Sequence, residues 1–522
     1  MTGARLAGVW LAACALVVSP LLWAAIPPLV DYPNHLARAW ILTHAASVPE
    51  LAANYVVNFR VLPDLAMDGG MLLLSHLLPF EVAGRVFIAL AMLSPVAGTV
   101  ALHHALHGRV GLWPLAALLA VYNTIFFWGF LSCLFSIGMA LCLFAGWVAT
   151  RTWPVALRVV LFAPAAMLLL LGHLFAFGLY GLLVASFELG ELIGRRRFVR
   201  AGLLRALALG LQFVPALALF WLSLTHGGPT HTEYGNPLTK LIALLTPFTF
   251  GHGPGTLDGL TWAFSVAVLY LGLSRRHLAV APMMRTPLIV LALAAVAMPN
   301  WLAGAWAADL RLPATLPFLL VASTAPRPLR AGLGRAVMLA AAALLAVRVW
   351  AVSTSFASYD RWFADFRAAA AALPPGARLL MVEPKLSGPR PALPGLPQAL
   401  GRVEALSFLH VPALAILDRS AFYPNLFTGW TTVDATPRNL PIAEPQGMPL
   451  PPDDLWRALD PAEADAIAAF RDNAGDQKYW RNWPEDFDYV MWMSFQPGAE
   501  HVPPQLEPVA AQGWFTLYRI RR

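Results

Sequence analysis

Charge is what this sequence has least of. Of 522 residues only 12% are charged, against about 25% in an ordinary soluble domain. The shortage is uneven. Before residue 355 there are 21 Lys/Arg and 10 Asp/Glu; from 355 onward there are 15 and 19. The first two-thirds is therefore too poor in charge to face water on all sides, and the last third has the balance of a water-soluble domain. Cysteine is nearly absent as well. Cys14, Cys133 and Cys142 all lie inside apolar stretches, which excludes a disulfide framework and a CxxC metal site. No run of Lys/Arg is interleaved with aromatics, so nucleic acid is excluded as a partner, and the net charge of +7 reads as a basic excess in cytoplasmic loops. No internal repeat is found.

What fills the first two-thirds is apolar sequence. A spanning helix takes about 20 apolar residues. Eleven stretches of that character are read at 6–26, 81–105, 111–122, 127–149, 154–171, 174–191, 201–223, 259–274, 286–303, 311–325 and 336–353, some of them short. The expectation is an α-helical polytopic membrane domain over 1–354 and a soluble α/β domain over 355–522. Helix is expected around 358–373, ended by Pro374-Pro375-Gly376, with β-like runs at 377–383, 489–494 and 515–520. The first stretch is read as an anchor, because ten more follow it.

Arginine sets the orientation. With Arg5 in the cytoplasm, the inward loops collect Arg109, Arg151, Arg195 to Arg197, Arg200, Arg205, Arg275, Arg276, Arg285, Arg327, Arg330 and Arg335. The outward side then receives few, among them Arg38, Arg60, Lys240 and Arg311. An odd number of spans delivers the C-terminal domain to the non-cytoplasmic side. Eight of the ten acids before 355 also fall outside: Asp31, Glu50, Asp64, Asp68, Glu81, Glu233, Asp258 and Asp309. Two outward loops are long. Residues 28–80 hold enough apolar residues for one or two interfacial helices, and 224–258 are rich in Gly, Pro, Thr and His.

Chemistry is therefore sought on the outer face. Asp31 follows Pro27-Pro28, which end the first span, so a partly shielded carboxylate sits at the membrane boundary. It can take a proton from a hydroxyl or hold a cation, or it can be a helix cap. His35 and Arg38 come four and seven residues later, on one face of any helix starting near Asn34. Asp64 and Asp68 share a face if the chain is helical there, which suits a cation or a sugar hydroxyl; the competing reading is a solvated interfacial helix. Asp309 and Arg311 open the tenth stretch, followed by Pro313 and Pro317. An arginine at a helix start can clamp a phosphate, with Asp309 orienting it, or it can be a snorkelling anchor. His173, Tyr122 and Asn123 lie at outer span boundaries, either as ligands or as turn residues. His226, His231 and Glu233 match no metal spacing, and no metal site is expected. His410 and Arg419 are weaker candidates in the C-terminal domain.

Asp31 after the first span, the long first outer loop, the short third and fourth spans, the Arg311-x-Pro313-x-x-x-Pro317 run and the outer soluble domain together resemble the GT-C superfamily of integral membrane glycosyltransferases. Asp-Tyr-Pro-Asn-His at 31–35 also resembles a group of bacterial membrane proteins, which implies no activity. The first resemblance implies inverting transfer of a sugar from a polyprenyl-phosphate donor to a glycan, lipid or protein acceptor, at the outer face of a bacterial inner membrane. It implies Asp31 as catalytic residue, Arg311 as phosphate ligand, and membrane lipids around the spans. The chain departs from the best-defined subfamilies in lacking an Asp-Glu or Asp-Asp pair in the first loop, so it implies no certain cofactor and leaves a divalent cation open. The reading from a different class is a transporter or assembly partner for surface polysaccharide export, which would place charge at mid-membrane in repeated halves.

Overall fold

In the computed structural model the chain is a polytopic helical membrane protein with a mixed α/β portion at its C-terminal end. The structure describes all residues except 1–2, 59–61, 195–199, 225–230, 249–256, 303–304, 328–330, 385–405, 430, 446, 473–478 and 496–500. The expectations placed on Arg60, Arg195 to Arg197, His226 and Arg330 lie outside the described residues.

Eight helices among the described residues are long and apolar enough to cross a membrane: Gly3–Leu22, Phe80–His107, Leu131–Ala149, Val155–Gly172, Leu174–Gly194, Arg200–Leu222, Leu257–Ser274 and Gly332–Ala370. Each coincides with one of the apolar stretches above. The remaining three stretches are shorter. Trp113–Ala120 is a 3-10 helix, Arg285–Ala297 has 13 residues, and Ala308–Ser323 has 16 with Pro313 and Pro317 inside it. The helix expected at 358–373 is the end of the last span: Ala331–Ala370 runs unbroken for 40 residues.

The described chain falls into two compact units. One comprises residues 1–21, 61–67 and 86–353; the other comprises 22–60, 68–85 and 354–522. The first unit is helical and close-packed. A Cβ on Gly138 would sit 2.2 Å from the Ser94 carbonyl carbon, and one on Gly98 would sit 2.7 Å from the Gly138 carbonyl oxygen. Small residues of this kind let membrane helices approach backbone to backbone, where no hydrophobic force drives them together.

The second unit gathers the segments after the first span around the C-terminal residues. The outer stretch forms helices Tyr32–His44 and Pro49–Asn54, then the strand Tyr55–Val57, which pairs antiparallel with Val433–Ala435. A four-stranded sheet follows. Leu379–Val382 lies parallel to Tyr489–Met493, next to Phe515–Ile520 and finally Leu506–Gln512, both of these pairings antiparallel. Leu379–Val382 is buried throughout and reads Leu-Leu-Met-Val, as a strand covered on both faces should. Gly513 opens the tight hairpin between the last two strands with φ +55°, and a Cβ there would meet Asp365 Oδ2 at 2.2 Å.

Candidate functional site

In the second unit Asp31 immediately precedes the helix Tyr32–His44 and occupies its N-cap position. Its side chain makes no capping hydrogen bond, and its backbone (φ −86°, ψ −9°) lies in the helical region instead of the extended one a cap favours. The carboxylate is turned elsewhere. Its Oδ1 lies 3.6 Å from His410 Nε2, with the Asp31 side chain 14% exposed.

Asn34, one turn on, is fully buried. Its Oδ1 accepts the Phe427 N–H at 2.8 Å, and its Nδ2 donates to the Asn425 carbonyl at 2.8 Å and lies 3.1 Å from His410 Nδ1. Burial pushes the His410 imidazole down to about 3, so the ring is neutral. His35 is also held neutral, first by burial and then by Arg38 and His410. It sits edge-on to Phe427, and its Nδ1 has no hydrogen-bond partner among the described residues.

Arg38 and Asp68 meet in the same unit. Arg38 donates from Nε at 3.0 Å and from Nη2 at 2.8 Å to Asp68 Oδ1, while Oδ2 accepts from the Thr432 hydroxyl at 3.1 Å. Both side chains are 3% exposed. This carboxylate and this guanidinium satisfy one another inside the protein.

The shared helical face expected for Asp64 and Asp68 is not formed. The helix begins only at Ala66, and Asp64 has φ +86°, a strained conformation for a residue with a Cβ. Asp64 belongs to the first unit and Asp68 to the second.

Within the first unit Asp64 Oδ1 lies 4.0 Å from His173 Nε2. His173 ends the helix Val155–Gly172 in extended backbone (φ −169°). Its Nδ1 accepts the Phe175 N–H at 3.0 Å, which puts the proton of the neutral ring on Nε2, toward Asp64. Arg311 is the fourth residue of the helix Ala308–Ser323, which starts from Ala307 in the left-handed region (φ +57°). It donates from Nη2 to the Trp306 carbonyl at 3.2 Å, and its Cζ stands 5.0 Å from the centre of the Phe130 ring. Its Nε has no hydrogen-bond partner among the described residues. A cation in the opening turns of a helix opposes the helix dipole, so an anion bound there would relieve that conflict. Asp309 does not orient Arg311. It is 1% exposed, and its two oxygens are taken by Lys240 Nζ at 2.9 Å and Asn300 Nδ2 at 3.1 Å.

Tyr122 and Asn123 are in the first unit too, and both are fully buried. Tyr122 donates to the Val17 carbonyl. Asn123 caps the short helix Thr124–Phe127, accepting the Phe126 N–H at 3.0 Å and donating to the Ala120 carbonyl at 2.8 Å. Their polar atoms hold the chain where it turns. Among the described residues no three His, Cys, Asp or Glu side chains are placed to hold a metal ion.

No protein-family model and no curated protein sequence matches the chain. Among solved structures it is similar to the crystal structure of ArnT from Cupriavidus metallidurans bound to undecaprenyl phosphate. The identity is 12% and the TM-score 0.48, over 98% of this chain and 97% of that chain.

Two groups of residues were not singled out by the sequence. Asn425 accepts from Asn34, and Thr432 donates to Asp68, through contacts that no local motif announces. Arg348, 1% exposed in the last long helix, donates to Asp258 Oδ1 at 3.0 Å, to the Thr261 hydroxyl at 3.2 Å and to the Tyr122 carbonyl at 2.7 Å. An ionisable residue inside an apolar helix was the available signal.

Proposed function

We propose that this chain is a membrane glycosyltransferase that moves a sugar from a polyprenyl-phosphate donor to a hydroxyl acceptor on the outer face of the inner membrane. The observation that carries the reading is Asp31: a shielded carboxylate at a helix start whose side chain does not do the capping that a structural aspartate does there. In the reaction Asp31 takes the proton of the acceptor hydroxyl as its oxygen bonds to the anomeric carbon. The bond from that carbon to the phosphate oxygen breaks, and polyprenyl phosphate leaves with the electron pair. Arg311 is assigned the phosphate, because its guanidinium has a buried Nε with no hydrogen-bond partner among the described residues, in the opening turns of a helix. His173 is assigned a second donor role through Nε2, and Asp64 keeps that ring in register. His35, with its unpartnered Nδ1, is assigned to the acceptor. The sugar and acceptor follow from the test below.

Asp31→Asn separates base from cap. Asn caps about as well as Asp, whereas removing a general base costs about 10²–10⁴-fold. A deletion strain complemented with Asp31→Asn should lose the glycan product seen with wild type, at equal expression and thermal stability. Wild-type glycans in that strain would return Asp31 to a structural role. The transporter reading has one observation in its favour, the buried Arg348–Asp258 pair in the spans. It predicts that the donor lipid crosses the membrane chemically unaltered, and mass spectrometry of lipid and acceptor decides between the two.

A further inference from the structure

We propose that Trp128 and Trp306 form the sugar subsite of the donor, an aromatic wall beside Arg311 against which the sugar ring attached to the phosphate packs. This role rests on the glycosyltransferase reading above and on the phosphate assignment of Arg311.

Three aromatic residues of the first unit gather at Arg311. Its Nη2 donates to the Trp306 carbonyl at 3.2 Å, and its Cζ stands 5.0 Å from the centre of the Phe130 ring. The Trp306 ring meets Trp128 edge to face, with centres 4.5 Å apart and planes at 71°, and Trp128 lies 6.3 Å from Phe130. The rings come from two sharp turns. Gly129, between Trp128 and Phe130, has φ +83°, and Ala307, directly after Trp306, has φ +57°. Glycine adopts that region freely; alanine is strained there, and strain of this kind persists where the surroundings enforce a particular geometry.

Tryptophan at a membrane boundary is commonly part of an interfacial belt. Trp221 and Trp350 have that character, at 71% and 67% exposed. Trp128, Phe130 and Trp306 are only partly exposed and pack on one another and on the guanidinium. Neither the Trp128 nor the Trp306 indole N–H has a hydrogen-bond partner among the described residues. The donor's phosphate is bonded to the sugar on one side and to the prenyl chain on the other, so a wall flanking Arg311 meets one of the two. A prenyl chain asks only for apolar area and offers an indole N–H nothing to bond. A sugar ring has an apolar C–H face that packs on an aromatic ring, with hydroxyls at its rim that accept from N–H donors. Two indole N–H groups beside the phosphate ligand therefore fit the sugar. The Arg311 charge also acts on the buried His173 ring, so polar groups continue on that side of the guanidinium.

The test separates a π-face from mere apolar bulk. Trp306→Phe keeps an aromatic face; Trp306→Leu keeps apolar volume without one. In the complemented deletion strain, Trp306→Phe should transfer glycan within about threefold of wild type. Trp306→Leu should fall about tenfold, the worth of an aromatic contact beyond its area. Both should hold wild-type abundance and melting temperature, and Trp128→Phe and Trp128→Leu repeat the comparison should a Trp306 variant fail to fold. A polyprenyl phosphate carrying no sugar, presented in vesicles, should bind the Leu variants as tightly as wild type. Equal transfer by Phe and Leu variants overturns the proposal, because apolar area alone would then suffice. Weaker binding of the sugar-free lipid to the Leu variants also overturns it, because the wall would then serve the prenyl chain or the phosphate. If Asp31→Asn leaves transfer intact, the transferase reading falls and the subsite falls with it. If Asp31→Asn abolishes transfer and the Leu variants match wild type, only the subsite falls.

Discussion

Arg38 and Asp68, 30 positions apart in the chain, satisfy each other in a space that water does not reach. Breaking a buried pair by removing one partner costs about 3–5 kcal/mol, because the other charge stays behind uncompensated. Asp68→Ala should therefore lower the thermal midpoint of the purified protein sharply, and any loss of transfer should track the loss of folded protein. Arg311 should behave in the opposite way. A snorkelling anchor needs only a long stem with a positive end, which Lys supplies; a bidentate phosphate clamp needs the planar fork, which Lys lacks. Arg311→Lys should melt like wild type and bind a polyprenyl phosphate more weakly in a vesicle-based binding assay, and Arg311→Ala more weakly still. Unaltered binding in Arg311→Lys would make the residue an anchor. Glu383 gives a pH signature. It is fully enclosed at the end of the strand Leu379–Val382, its Oε2 has no hydrogen-bond partner among the described residues, and burial pushes its carboxyl from 4.5 up to about 8. Between those values the folded chain holds a proton that the unfolded chain has released, so stability falls as pH rises through that window and levels off above it. The steepest slope is about 1.4 kcal/mol per pH unit for one proton. Melting curves from pH 5 to 9 should show this decline, and Glu383→Gln should remove it.

Among the elements, the close approach of Phe80–His107 and Leu131–Ala149 depends on glycines where a side chain has no room. Overpacking a tight site costs about 1–3 kcal/mol when neighbours can yield. At Gly138 the obstacle is the backbone of Ser94 and Pro95, which cannot yield cheaply. Gly138→Leu should reduce the yield of detergent-extracted, monodisperse protein far more than Gly178→Leu, whose site has nothing within 4 Å. Elements such as these were legible in the sequence when one local property defined them. Apolar length located eight spanning helices, and short β-like runs located the strands at 379–382, 489–493 and 515–520. What was not legible depends on distant partners or on a local break. The strand Leu506–Gln512 carries Pro508 and exposes it together with Val509, Ala511 and Gln512, so it reads as a loop until its neighbour Phe515–Ile520 is known. The spacing of Asp64 and Asp68 suggested a common face, which requires a helix through both; Pro63 and a positive φ at Asp64 delay that helix to Ala66. Asp31 was found from its place after two prolines, whereas His410 and Asn34, 376 positions apart, share no pattern that a single sequence displays.

For the whole molecule, the sorting of arginines predicts an N-terminus inside and a C-terminal domain outside. Alkaline phosphatase fused after residue 355 should be active, and a reporter that works only in the cytoplasm should be silent at the same point; the opposite pattern would invert the orientation. The composition of the second unit also sets a timetable. Its first strand, Tyr55–Val57, and the helix bearing Asn34 leave the ribosome early, while the residues they pair with, Val433–Ala435 and His410, come near the end. At about 5–20 residues per second, the earlier segments wait on the order of tens of seconds for their partners. Throughout that interval an unpaired strand edge and the surroundings of Asp31 are open to proteases and to wrong partners. A nascent chain arrested at residue 353 should accordingly be cut by added protease between residues 22 and 60, and the completed chain should resist. Residues made 376 positions later thus decide when the first aspartate after the membrane anchor finds its permanent surroundings.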